Sequence, residues 1–355
     1  MFRTAAAPER SGDGGRHRVN RAAAWALVLA LAGSVAAAAG EQPRCGDFRA
    51  NPAASIVDCD RVLSAGGLTA RHEGLAHIGR ASAYAALGQY AAAERDFERG
   101  IALYPAYAHA FSNRGAMYLD LGDHARALAD LDHAIALDPR THHAYINRAS
   151  VHYELGDYEA AIADYTREIE LNPKYALPYI GRGGARTYTG EPELAIADID
   201  KARELGLETA WGYNARGNAH RLLGDLEPAE RDYARALELD PVKVDAHLNM
   251  GDMRFFAGDL DAALDSYETA AVLNADDPAD TATAHARRAE VLKKLGRTEE
   301  ALAAFEASFE AGGADQIVAA QEYLAGAGHY DGPANGVYGP QMKQAVTACL
   351  GDPEC

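Results

Sequence analysis

The sequence predicts an all-α fold: a solenoid of about seven stacked helix-turn-helix units followed by a small helical module. Three observations predict it. Gly88, Gly122, Gly156, Gly190, Gly224 and Gly258 recur every 34 residues, and Gly296 follows after 38. Seven positions before each glycine stands Ala or Gly, from Ala81 and Gly115 through Gly217 and Gly251 to Ala289. Nine positions after each stands a large apolar or aromatic residue: Phe97, Leu131, Tyr165, Ile199, Tyr233, Tyr267 and Phe305. Such self-similarity on a fixed period marks a repeat architecture.

Within each unit, apolar residues at spacings of three and four describe two amphipathic helices. The turn glycine ends the first helix, because it alone enters the left-handed cap conformation without strain. Small residues on the first helix let the second approach closely, and the large residue on the second fills the space beside them. Pro105, Pro139, Pro173 and Pro241 close four of the units, since proline cannot continue a helix. A single unit cannot bury its own apolar face, so neighbouring units must supply the core.

This small–small–large spacing on a 34-residue period resembles the tetratricopeptide repeat (TPR). The resemblance covers seven units between residues 74 and 313, and it implies a right-handed superhelical solenoid. It further implies a concave groove, lined by the first helix of each unit, that holds a partner's extended peptide or helix. The groove positions place Asn113, Asn147, Tyr153, Trp211, Asn214, Asn218, Asn249 and Phe255 as candidate partner contacts. Asparagine both donates to and accepts from a peptide backbone, so a row of them can hold an extended chain independently of its sequence. The aromatic groups add anchoring area among the polar ones. Arg114, Arg148, Arg182 and Arg216 recur at one position and are expected to pair with acidic residues on neighbouring helices. The lysines of the carboxylate clamp used by some family members are missing, which leaves the ligand open.

The N-terminal side reads as an export signal over residues 1–40. Arg16, Arg18 and Arg21 precede an apolar stretch, Ala22 to Ala39, that ends in an Ala37-x-Ala39 cleavage pattern. Export to the periplasm or beyond is therefore expected, the alternative being an uncleaved anchor in the inner membrane. Residues 41–73 contain one helical stretch, Pro52 to Leu63, expected to cap the array. Four cysteines, Cys45, Cys59, Cys349 and Cys355, suit disulfides in an oxidising compartment. They sit toward opposite ends of an array, which favours Cys45–Cys59 and Cys349–Cys355.

Beyond Gly313 the 34-residue pattern stops, and residues 314–355 form a separate expectation. A short amphipathic helix, Ile317-Val318-x-x-Gln321-x-x-Leu324, leads into a glycine-punctuated loop and a second helix from Met342 to Leu350. The run Tyr330-Asp331-Gly332…Gly336-Val337-Tyr338-Gly339-Pro340 resembles the small helical peptidoglycan-binding domain of cell-wall hydrolases and envelope proteins. Asn335 replaces that family's usual Asp, and Met342 its usual Thr. The resemblance makes Tyr330, Asp331, Asn335 and Tyr338 candidate glycan or stem-peptide contacts. The competing expectation is a degenerate module that only caps the last repeat.

A formal charge of −18 and the lack of clustered Lys or Arg argue against nucleic-acid binding. No nucleophile elbow, phosphate loop or paired metal-ligand motif occurs, so neither enzyme activity, cofactor nor metal is expected. The function expected is an exported interaction scaffold, with a protein or peptide in the groove and peptidoglycan as a possible second partner.

Overall fold

The computed structural model describes residues 50–273, 277–352 and 355. The expected export signal, Cys45 and most of its lead-in lie outside these. The described residues are helical, with no strand among them. They fall into two compact units. The first holds residues 50–189 and 201–207, and the second holds residues 190–200 and those from 208 onward.

In the first unit, α1 (Pro52–Ala65) packs on α2 (Ala70–Ala86), which pairs with α3 (Tyr90–Leu103). The pairs α4 (Ala108–Asp120) with α5 (His124–Leu137) and α6 (His142–Glu154) with α7 (Tyr158–Leu171) follow, then α8 (Leu177–Tyr188). The next helix, α9 (Pro192–Glu204), has residues in both units. The second unit continues with α10 (Ala210–Leu223), α11 (Leu226–Leu239), α12 (Val244–Ala257), α13 (Leu260–Leu273) and α14 (Pro278–Lys294). It ends with α15 (Thr298–Gly326) and α16 (Pro340–Gly351).

Local chemistry explains these boundaries. All seven turn glycines have φ between 71° and 84°, a region that costs an L-residue about 1–2 kcal/mol. The residue after the glycine often caps the following helix: Asp123 accepts from the Arg126 amide and Asp157 from the Ala160 amide. Between the paired helices, small meets large as the spacing predicts. A Cβ on Gly217 would lie 2.7 Å from the Tyr233 ring, and one on Gly251 would lie 2.5 Å from Tyr267. Phe97, Leu131 and Tyr233 are each completely buried opposite their small partners.

At Gly312-Gly313, where the sequence pattern stops, α15 is broken: Gly313 (φ 65°, ψ −152°) is non-helical and separates the last repeat's helix from the first helix of the C-terminal module. That module has no core of its own: Met342, Val346 and Leu350 share one apolar cluster with Leu292 and Phe309 of the last repeat. The shared cluster covers the apolar face of the last repeat. At the other end, Cys59 is completely buried and disulfide-bonded.

Candidate functional site

In the first unit the groove positions start at α4. Asn113 is half-buried there and donates through Nδ2 to Ser82 Oγ of α2 at 3.1 Å. Asn147 lies at the same position on α6 and is 7 % exposed. Ala116 stands where Ser82 stood, and Asn147 has no hydrogen-bond partner among the described residues. Tyr153 ends the same helix inside an aromatic cluster, its ring 5.3 Å from Tyr158 and 5.9 Å from Tyr188. Burial pushes its hydroxyl well above the usual phenol range.

In the second unit, Asn249 of α12 donates to Asn214 Oδ1 of α10 at 3.0 Å. Asn218 accepts from the Tyr233 hydroxyl at 2.7 Å, which makes it the polar lid of a core tyrosine. Trp211 is half-buried near the start of α10. Phe255 packs against the apolar cluster of the last repeats, with Lys294 Nζ 4.2 Å from its ring centre. The asparagines are thus unequal. Asn218 is held by a core residue and Asn214 pairs with Asn249, whereas Asn147 is uncommitted.

The recurrent arginines form a ladder. Arg80 grips Asp96 with two bonds of 2.6 and 2.7 Å, and Arg114 grips Asp130 at 2.7 and 2.8 Å. Arg148 holds Asp164 in the same way, as Arg216 does Asp232 in the second unit. Two-pronged guanidinium–carboxylate contacts of this kind fix geometry as well as energy. Three of these arginines also reach back to the helix before their own pair: Arg80 to Asp60, Arg148 to Asp132 and Arg216 to Asp200. Each therefore clamps its own helix pair and stitches it to the preceding helix. Burial alone would raise the Asp96 carboxyl, but bonds from Arg80 and His77 hold it below the ordinary carboxylate range. The aspartates recur sixteen residues after each arginine, at 96, 130, 164, 198 and 232, a signal readable in the sequence. In the sixth repeat Met250 and Ser266 take these two places, and Arg254 donates to Ser266 Oγ instead.

In the C-terminal module one side chain organises the loop. Gln321, completely buried, accepts from the amides of Asn335 and Gly336 at 2.9 and 3.0 Å. Its Nε2 lies within 3.1 to 3.3 Å of Val337 O, Asn335 Oδ1 and Tyr330 Oη. Of the candidate glycan contacts, Tyr330 and Tyr338 turn partly into the apolar cluster, and Tyr338 donates to Glu306 at 2.9 Å. Asp331 is exposed and accepts from Gln341, while Asn335 is exposed with its Oδ1 engaged by Gln321 and the Val337 amide. A shallow depression on α16 is lined by Pro340, Lys343, Gln344, Thr347 and Ala348, and none of the four candidates lines it. Cys349 and Cys355 are bridged, their Cα atoms 5.2 Å apart.

Comparison with known families agrees with this architecture. Models described as tetratricopeptide repeat match residues 78–135, 115–177, 210–241 and 248–315. The chain belongs to the tetratricopeptide-repeat family. A further model, described as a putative peptidoglycan binding domain, matches residues 313–349 and so begins at the kink in α15. No curated protein matches the chain. Among solved structures, the APC/C hetero-tetramer Cut9-Hcn1 is similar at TM-score 0.59 and 19 % identity, over 72 % of this chain and 49 % of that one. This chain therefore spans about half the length of that relative. A tetratricopeptide repeat protein from Parabacteroides merdae is similar at TM-score 0.56 and 17 % identity, over 79 % and 99 %. PilW, described as a type IV pilus biogenesis factor, is similar at TM-score 0.52 and 20 % identity, over 57 % and 92 %. At these identities the likeness is one of fold.

Proposed function

We propose that the chain is an exported interaction scaffold that holds a partner's peptide or helix on its repeats and docks on peptidoglycan through its C-terminal module. One observation carries the reading: the family match over residues 313–349 includes a loop whose backbone is fixed by Gln321 and on which Asp331 and Asn335 stay exposed. A wall-binding module on a repeat array fits a binding role rather than catalysis. It also supports an extracytoplasmic location, as do the bridged Cys349–Cys355 and the bonded Cys59. No helix among the described residues is long and apolar enough to cross a membrane.

The shared core of module and last repeat favours a second reading, in which the module serves as a cap and the repeats alone bind the partner. Both readings place the partner against the first helices of the repeats. Changing Asn113, Asn147 and Asn249 together to Ala should weaken partner capture at least tenfold with helical circular dichroism retained, and should lower the unfolding midpoint somewhat, because Ser82 and Asn214 lose their donors. Asn147 alone should account for most of that loss, because it spends no bond on its own chain. Unaltered capture by the triple variant would remove these residues from the binding surface.

A further inference from the structure

Seven residues occupy one position, twelve beyond the turn glycine, on the second helices of the repeats: Gly100, Ala134, Glu168, Ala202, Ala236, Ala270 and Ser308. Six are small, and packing explains why. A Cβ on Gly100 would lie 2.9 Å from Gly74 O and 2.6 Å from the Ile78 side chain, so this position sits where the two helices of a pair come closest. In the third repeat it carries a glutamate.

Glu168 is completely buried, and neither carboxyl oxygen has a hydrogen-bond partner. A desolvated group of this kind is costly unless it is neutral or paired. Its nearest titratable neighbour is His142 on α6, whose Nδ1 lies 3.5 Å from Oε1 and is itself buried without a partner. Several other titratable groups on the two helices packed against α7 have partners of their own: His152 lies 3.8 Å from Asp157, Glu154 bonds His124, and Tyr153 and Tyr188 sit in one aromatic cluster. On α6, Arg148 is bound to Asp164 and Tyr145 donates to Pro139 O. On α8, Tyr179 donates to Pro173 O and Arg182 donates to Thr166. Among the described residues no lysine or arginine is placed to hold a charge on Glu168, and burial pushes its carboxyl up to about 8.

By the 34-residue register, the groups facing Glu168 are His142 and Ile146, in the places of Gly74 and Ile78. Asn147 follows directly on the same helix. We propose that Glu168 and His142 form a proton-controlled latch in the third repeat: the helix pair closes over the protonated carboxyl, and loss of that proton opens the pair beside Asn147. The groove would then grip at low and neutral pH and loosen at the third repeat as the medium turns alkaline.

The sign follows from linkage. Between the ordinary glutamate range and about 8 the folded chain keeps a proton that the unfolded chain has lost, so stability falls as pH rises across that window. The test compares the wild-type chain with Glu168→Gln and with Glu168→Ala, which restores the residue type of the other repeats. Denaturant unfolding is measured from pH 5 to pH 9. The wild-type folding constant should fall about tenfold per pH unit relative to either variant until near pH 8, then run parallel. Amide exchange should show the loss of protection centred on residues 142–171. Parallel profiles of all three chains across the range, or a loss of protection spread evenly over the repeats, would overturn the proposal.

Discussion

Replacing Gln321 by Leu should cost about 3–4 kcal/mol and abolish the ordered loop of the C-terminal module. The side chain satisfies two backbone amides and one carbonyl, and it also meets Asn335 and Tyr330. Leucine matches its size but leaves those backbone groups without partners, at roughly 1–3 kcal/mol for each that stays buried. Water can reach part of the loop, since Asn335 and Val337 are exposed, which keeps the total below the simple sum. Because Ile317, Leu324 and Met342 share the core of the last repeat, the damage should spread into α14 and α15. Amide exchange on the variant should therefore show lost protection in residues 278–351, with residues 70–171 unchanged. A variant as stable as the wild type, with its loop intact, would contradict the role given to Gln321.

The second large effect concerns the arginine ladder. Arg114 differs from Arg80, Arg148 and Arg216 in holding a single carboxylate, that of Asp130, with side-chain exposures of 18 % and 10 % for the pair. Changing Asp130 to Ala should destabilise the first unit by about 3 kcal/mol, because it strands a largely buried guanidinium. Changing both residues, Arg114→Leu with Asp130→Leu, should recover most of that loss, since an apolar pair of similar volume often equals a buried ion pair. Denaturant midpoints of Arg114→Leu, of Asp130→Leu and of the double variant give the coupling. If Asp130→Ala loses less than about 1 kcal/mol, the ladder contributes little and the apolar seams alone set the packing.

Periodic agreement made most of the fold legible. Turn glycines, small first-helix residues and large second-helix residues each obey a local steric rule, and each rule repeats. The arginine ladder is legible for the same reason, its aspartates sharing the period of its arginines, although which acidic residue each arginine takes depends on side-chain reach. Residues that break the period were harder to read. Glu168 interrupts a run of small residues that draws the eye to agreement, and only its burial shows that the exception matters. Gln321 sits on the apolar face of an amphipathic helix, where the pattern reads core and a polar organiser is invisible. Asn218 and Phe255 occupy groove positions by register, yet the contacts of Asn218 with Tyr233 and of Phe255 with the last repeats depend on side-chain reach that spacing does not encode. The pair Gly312-Gly313 reads as a break, and Gly313 is the non-helical residue between the last repeat's helix and the module.

The shared core of module and last repeat also decides which experiment bears on the proposed function. Removing residues 314–355 would strip Phe309 and Leu292 of their cover, so truncation would confuse binding with unfolding. The direct measurement uses the whole folded chain, mixed with purified sacculi and sedimented, with and without an excess of soluble muropeptides. The account predicts that the folded chain pellets with the sacculi and that soluble fragments release it. A folded chain that stays in the supernatant at every concentration would contradict wall docking and leave the module as a cap.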